Sequence, residues 1–390
     1  MNLISRHTIF CLLFLVSCSK TEYYPVFDLG TPDECFSAYL SATDFGADPT
    51  GATDSSAAIQ QMLDLIYSGE TEDVVLYFPE GRYRFDAVCT LTVAQMKDDP
   101  ILLRLVGASA RETILECHNE TGLFLFDSRN KSSQISMEKM TLRACRPLIN
   151  SAFSFVFPEG GNLHHRSFIC DSITIDGNAS GDYFSTGLNL YGQWRPLVQH
   201  TRIEYAVDQP AGRGIDVSGT YTPRVVESVF SNLDTGILYD AINGEGGDFC
   251  GNEFERTRVG IACSSQGIEP HLNIDSNRFS CEEYGIHIDA RKFNFIRHNV
   301  FEDSGAAGRE YADIFIESTY ATNQKASNHI ISYNSFLPSE NSAREMIRLG
   351  QKVSDVFVHD NLFQGRGTIL NDVGNTENTV LYDNRDEMIN

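Results

Sequence analysis

The chain repeats itself, and the period of the repeat decides what it can fold into. Gly-Leu or Gly-Ile dipeptides begin at Gly187, Gly214, Gly236, Gly260 and Gly285, at spacings of 27, 22, 24 and 25 residues. Degenerate copies continue at Asp313-Ile314, Met346-Ile347 and Thr368-Ile369. A second element, Asn-x-Phe, begins at Asn252, Asn277, Asn299, Asn334 and Asn361, each time between one Gly-Ile element and the next. Inside a unit, Gly-Ile-Asp-Val-Ser, Gly-Ile-His-Ile-Asp and Asp-Ile-Phe-Ile-Glu alternate apolar and other residues with a period of two, the pattern of half-buried strands. A unit of about 24 residues with three short strands cannot bury its own apolar face, so the units must stack on one another as a parallel β-helix.

In such a stack the repeated asparagine has two physical jobs. It tolerates the left-handed backbone of a tight turn, and its amide can hydrogen-bond to the next asparagine along the column. The cysteines follow the same logic. Cys89, Cys117, Cys145 and Cys170 are separated by 28, 28 and 25 residues, which is neither CxxC zinc spacing nor a dense disulfide pattern. No cysteine metal site is expected. The series predicts an internal ladder of small hydrophobes on successive turns, with disulfides as the minority reading.

Charge and length narrow the partners. Against 30 Lys plus Arg stand 53 Asp plus Glu, a formal charge of -23, so the field of the molecule repels nucleic acid and anionic membrane alike. The 42% hydrophobic content supports a packed core and excludes a disordered chain. At the amino terminus, Arg6 and His7 precede Ile9 to Val16, an apolar run far shorter than the roughly 20 residues that span a bilayer. Residues 1–17 therefore read as a signal peptide. Its end, Leu15-Val16-Ser17-Cys18, resembles the lipobox of bacterial lipoproteins, which implies lipidation of Cys18 and an exported, membrane-anchored protein. Residues 18–41 form a tether and lead-in, and residues 42–390 form the β-helix, with no linker inside it.

The stack opens with its own signature. Asp54 or Ser55 can cap a helix near 54–67 whose apolar stripe is Ile59, Met62, Leu63 and Ile66, a lid over the first turn. Capping is required because an open end exposes strand edges and core. The segment Asp44-Phe45-Gly46-Ala47, Gly51 with Thr53-Asp54, Ala57-Ala58-Ile59 and Phe78-Pro79-x-Gly81-x-Tyr83 is similar to the opening of the pectate-lyase superfamily of right-handed parallel β-helix proteins. The resemblance implies an all-β, single-stranded right-handed solenoid and a carbohydrate-related role, since the group includes polysaccharide lyases, glycoside hydrolases and tailspike depolymerases. It assigns no catalytic residue, and the Gly-His-Gly segment associated with polygalacturonase-type hydrolases is absent.

Candidate chemistry comes from the outward columns. With the Gly or its equivalent as position zero, positions one and three point inward, as Ile215 and Val217, Ile286 and Ile288, or Ile314 and Ile316. Position two presents Asn189, Asp216, Leu238, Ala262, His287 and Phe315, and position four presents Tyr191, Ser218, Asp240, Ser264, Asp289 and Glu317. Turns stack about 4.8 Å apart, which places Asp289 roughly 5 Å from Glu317 and roughly 10 Å from Asp240. The first spacing suits a retaining glycosidase, and the second lies near the upper limit for an inverting one. Asp240, Asp289, Glu317, His287, Arg291 and Lys292 are thus the catalytic candidates, with Tyr191, Trp194, Tyr221 and Tyr320 as sugar platforms.

A lyase would use Lys292 or His287 as base and Arg291, or a calcium ion on Asp240 and Asp289, to hold a uronate. Otherwise no cofactor or metal is expected. His271, in Ile268-Glu269-Pro270-His271, resembles the Asp-Pro-His segment of alginate-epimerase β-helices with Glu in place of Asp, and reads as a turn histidine. The adjacent His164 and His165 fall on opposite faces of a strand and make poor co-ligands. The Gly244-Glu245-Gly246-Gly247-Asp248 loop reads as a turn that can project over the groove. The expected partner is an extracellular polysaccharide, cleaved by hydrolysis slightly ahead of lyase chemistry, with a non-catalytic glycan-binding lipoprotein as the competing class. Oligomeric state stays open.

Overall fold

The computed structural model describes residues 38–67, 73–91, 102–127, 133–157, 167–240, 246–264, 272–289, 292–302, 311–319, 325–337, 344–374 and 376–388. The signal segment, Cys18, most of the tether, His164, His165, Gly244, Glu245, His271, Arg291 and Tyr320 lie outside the described residues.

The chain winds as a parallel β-helix. Each coil lays down three short strands, as in Phe295–Arg297, Val300–Glu302 and Ala312–Glu317, before Ala326–Ser332 begins the next. A first face stacks 13 strands in chain order, from Ala38–Ser41 to Glu377–Tyr382. The other 22 strands form one sheet folded into a second and a third face, because Glu253–Ser264 and Arg278–Asp289 each run through the corner between them. Strand pairing is parallel throughout, as stacked coils require.

Alternation along each strand builds the core. Ile215, Val217, Ile286, Ile288, Ile314 and Ile316 are all fully buried, so the inward positions read from the sequence stand. The phenylalanines of the Asn-x-Phe element form a second inward column, with Phe254, Phe279, Phe301 and Phe336 stacked at 4.9 to 5.0 Å. The glycines make room for it. A Cβ on Gly236 or Gly260 would stand 2.6 or 2.8 Å from the ring of Phe254 or Phe279, closer than any side chain tolerates.

The asparagine column keeps one of its two expected jobs. Asn252, Asn277, Asn299 and Asn334 are buried, and each Nδ2 donates to the Oδ1 of the next asparagine at 3.0 Å. The left-handed residue of the corner is the one before it: Gly251, Ser276, His298, Tyr333 and Asp360 have φ between 54° and 68°. The asparagine faces inward, where its amide also takes up main-chain carbonyls such as Val225 O, groups that would otherwise be buried unpaired.

Two further expectations change. The cysteines do not make one ladder: Cys89 pairs beside Phe124 on the third face, Cys117 beside Phe85 and Ala144 on the second, and Cys170 beside Met137 on the first. Coils differ in length, so equal sequence spacing does not mean equal position. Cys89, Cys117, Cys145, Cys170, Cys250, Cys263 and Cys281 are free thiols, and burial pushes Cys117 and Cys170 up to about 12. The last degenerate copy also sits one residue later than read, since Ile347 pairs with Leu370 and not with Ile369.

The amino-terminal lid forms over Ser56–Tyr67, with Ile59, Met62, Leu63 and Ile66 buried against the first coil. Asp54 supplies the cap, accepting from the Ser56 amide at 2.9 Å, while the Ser55 hydroxyl accepts instead from the Asp48 amide. Asp48 ties the preceding turn by taking the amides and hydroxyls of Thr50 and Thr53, which holds its carboxyl far below the usual range. Gly81 is required here, because a Cβ at its φ of +153° would stand 2.6 Å from Pro49 O.

Candidate active site

The outward columns of the third face form as the alternation predicts. Asn189 pairs with Asp216, Asp216 with Leu238, Leu238 with Ala262, Ala262 with His287 and His287 with Phe315. In the same register Asp240 pairs with Ser264, Ser264 with Asp289 and Asp289 with Glu317. Asp289 and Glu317 therefore stand on adjacent strands and one face, about 4.8 Å apart at the backbone.

Asp289 reaches over the next coil, where Thr319 donates its amide to Oδ1 at 2.8 Å and its hydroxyl to Oδ2 at 2.5 Å. His287 also reaches over that coil and places Nε2 3.0 Å from Glu317 Oε1. The imidazole lies flat on Phe315, centroids 4.9 Å apart and planes within 5°, and Tyr284 packs against both rings. The Arg348 guanidinium covers Phe315 at 5.6 Å, paired with Glu345, whose other oxygen accepts from Asn371. Tyr284, Phe315, Thr319, Arg348 and Glu345 were not singled out as site residues. Position two of the Met346 copy is Arg348, so the column itself pointed to that one, whereas Thr319 lies past the strand end, where no periodicity reaches.

The remaining candidates are spread along the groove. Asp240 stands two coils from Asp289 with Ser264 between them, and its Oδ1 is buried with no partner among the described residues. Lys292 sits in the turn after Arg278–Asp289, bridged to Ser327 on the first face. Tyr191 is 41% exposed and lies over Gly219 of the next coil, and Trp194 packs on Tyr221 at 5.0 Å. Trp194 and Tyr221 form one ring pair, and Tyr191 precedes Trp194 by three residues. Four coils separate Tyr191 from Asp289, about 19 Å, so these aromatics do not touch the His287, Asp289 and Glu317 group.

Asp248 leaves the groove. It belongs to the first-face strand Gly247–Cys250 and pairs with Arg224 at 3.4 Å. Among the described residues Asp240 and Asp289 do not come together as calcium ligands, since Ser264 stands between them and they are two coils apart.

With the geometry in place, the likeness to known proteins is informative. DFA-IIIase from Arthrobacter chlorophenolicus A6 matches over 88% of this chain and 93% of its own, at 12% identity and a TM-score of 0.60. The A-module of a mannuronan C-5 epimerase of Azotobacter vinelandii matches over 88% and 99%, at 14% identity and a TM-score of 0.56. The catalytic unit of an α-1,3-glucanase from Streptomyces thermodiastaticus matches over 90% and 70%, at 15% identity and a TM-score of 0.52. Identities this low establish the shared fold alone. No curated protein sequence matches. Residues 167–314 match the right-handed beta helix region, which fixes the hand of the solenoid. Residues 39–237, just over half of the chain, match the family described as rhamnogalacturonase A/epimerase, pectate lyase-like, and the protein is a member of that family.

Proposed function

We propose that the protein cleaves glycosidic bonds in an extracellular polysaccharide, by hydrolysis ahead of lyase chemistry. The observation that carries this reading is the convergence of Asp289 and Glu317 on neighbouring strands, with His287 bonded to Glu317. Glu317 keeps one oxygen clear of His287 and is the group suited to protonate a leaving oxygen, with His287 as its proton route. Asp289, oriented by Thr319, is suited to attack or stabilise the anomeric carbon. Carboxylates on adjacent strands, whose backbones stack about 4.8 Å apart, suit the retaining course, in which a covalent glycosyl intermediate forms on one and water later releases it.

Several features favour hydrolysis over elimination. A lyase needs a base and a cation on the uronate; Lys292 lies against Ser327 of the first face, and Asp240 and Asp289 stand two coils apart. A carbohydrate partner is supported by the family and by the neighbours named for glucanase and epimerase activity. Tyr191, on the third face, and the Trp194–Tyr221 pair would bind further sugar residues of a chain lying along the solenoid axis. Export and anchoring through Cys18 are part of the proposal, and Cys18→Ala is expected to release the protein from the membrane fraction.

A panel of purified glycans tests the function. New reducing ends without the short-wavelength ultraviolet absorbance of an unsaturated uronate are expected. That absorbance would instead mean a lyase, and binding without product would mean a glycan-binding module. Glu317→Gln should lower turnover by about 100- to 10,000-fold and Asp289→Asn should abolish it, both with an unchanged circular dichroism spectrum. Unchanged turnover in either variant removes that residue from the site.

A further inference from the structure

Apart from this groove, the coil gathers three donor atoms of different chemistry at one edge of the second face. Glu116 lies on the strand Thr113–Cys117, His118 follows it directly, and Cys145 follows the neighbouring strand Thr141–Ala144. Cys117 pairs with Ala144, so one step further His118 stands beside Cys145, 27 residues away in sequence and one coil away in space. The Glu116 carboxylate, the His118 ring and the Cys145 sulfur each present one ligand atom, all within 4.8 Å of one another. A tetrahedral ion bound at about 2.0 to 2.3 Å holds such atoms about 3.3 to 3.6 Å apart, so side-chain adjustments of about 1 Å close the set.

The surroundings leave the set open to a cation. Arg82 donates from Nε to Glu116 Oε1 at 3.0 Å, which leaves Oε2 for a ligand bond. Two more cations flank Glu116 on the neighbouring strands: Arg143 is held by both oxygens of Asp176 at 2.8 and 2.7 Å, and Arg84 by Asp86 at 2.8 Å. Among the described residues neither the His118 ring nor the Cys145 sulfur has a hydrogen-bond partner. Ligating carboxylates in metal sites are commonly oriented by a hydrogen bond to the outer oxygen.

We propose that Glu116, His118 and Cys145 bind a divalent transition-metal ion, with zinc the best match to a mixed carboxylate, imidazole and thiolate set. The ion joins two successive coils and leaves a fourth position for water. On binding, the Cys145 sulfur gives its proton to solvent. The site is independent of the glycan reading, and cysteine spacing along the chain did not reveal it because only one of its ligands is a cysteine.

Titration of the reduced, chelator-treated full-length chain with cobalt(II) tests it. One equivalent is expected to produce thiolate-to-cobalt charge-transfer absorbance and the strong visible bands of a tetrahedral ion, both removed by added zinc. Cys145→Ser should lose the charge-transfer band, and His118→Gln should weaken cobalt binding at least about tenfold. Zinc should slow alkylation of Cys145, mapped by mass spectrometry, in the unmodified chain and not in His118→Gln. A charge-transfer band that survives Cys145→Ser, or none at excess cobalt in a chain with a native circular dichroism spectrum, overturns the site.

Discussion

Two stretches of the same inner column solve one packing problem in opposite ways. From Gly214 to Gly285, four successive coils put glycine at position zero, and the ring of Phe230, Phe254, Phe279 or Phe301 lies where a side chain would otherwise stand. One coil further on, Asp313 takes that position, fully buried. Its carboxylate accepts from the Tyr311 hydroxyl at 2.8 Å and pairs with Arg344 at 3.0 Å, and Arg344 also reaches Phe301 O at 3.2 Å. The phenylalanine ladder runs on through Phe336 without a break. The glycine coils are held by shape, whereas the Asp313 coil, which also carries Glu317, is held by a buried ion pair.

The difference sets the largest expected effect. Asp313→Ala strands the Arg344 guanidinium, which is 2% exposed, without its counter-charge and should cost about 3 to 5 kcal/mol in denaturant unfolding. Asp313→Gly with Arg344→Leu rebuilds the apolar solution of the neighbouring coils and should recover most of that loss. A double variant as unstable as Asp313→Ala would show that the two stretches are not interchangeable.

A second test uses acid. His329 is fully buried, its Nδ1 accepts from Asn294 Nδ2 at 2.8 Å, and its Nε2 has no partner among the described residues. Burial lowers its pKa to about 4, below the ordinary 6.5. A histidine depressed on folding adds stability that is present above pH 6.5 and is lost as pH falls toward 4. That loss amounts to about 3 kcal/mol at pH 4. His329→Met should flatten that part of the pH profile; a parallel profile would mean that His329 does not contribute to it.

The glycine coils have their own test. Gly260→Ala puts a methyl 2.6 Å from Gly285 O and 2.8 Å from the Phe279 ring, so about 1 to 3 kcal/mol of overpacking is expected. The companion Phe279→Leu should relieve part of it, since a smaller side chain opens the same space. Additivity of the two losses would separate the glycine column from the ring ladder.

Much of this was legible in the chain because a two-residue alternation and a repeated marker fix side and order together. Positions two and four can be counted from Gly285, which puts His287, Asp289 and their neighbours on one face. What could not be read were contacts that depend on the length of a coil. His118 beside Cys145, Arg344 beneath Asp313 and Thr319 on Asp289 all join residues from different coils, and the residue count between coils varies. The asparagine shows the finer limit: its identity signalled a corner, but whether it or its predecessor took the left-handed backbone depends on which of the two faces inward.

The smallest effect lies at that same corner, on the solvent side. His200 holds φ at 48° and bridges Asp171 at 2.9 Å and Glu227 at 3.0 Å, one coil on either side. Its hydrogen bond to Asp171 and the two carboxylate charges raise its pKa above 6.5. The sign is therefore opposite to that of His329: the stabilisation is complete below pH 6.5 and is lost as pH rises through the raised value. Half-exposed, the bridge is worth at most about 1 kcal/mol. His200→Asn keeps a residue at ease in the left-handed region and removes only the charge. The variant should be less stable than the parent at pH 5.5 and equal to it at pH 9, and 0.5 M salt should shrink the gap at low pH. A gap that is the same at both pH values would mean that the imidazole acts there by packing, as the buried rings do, and not by charge.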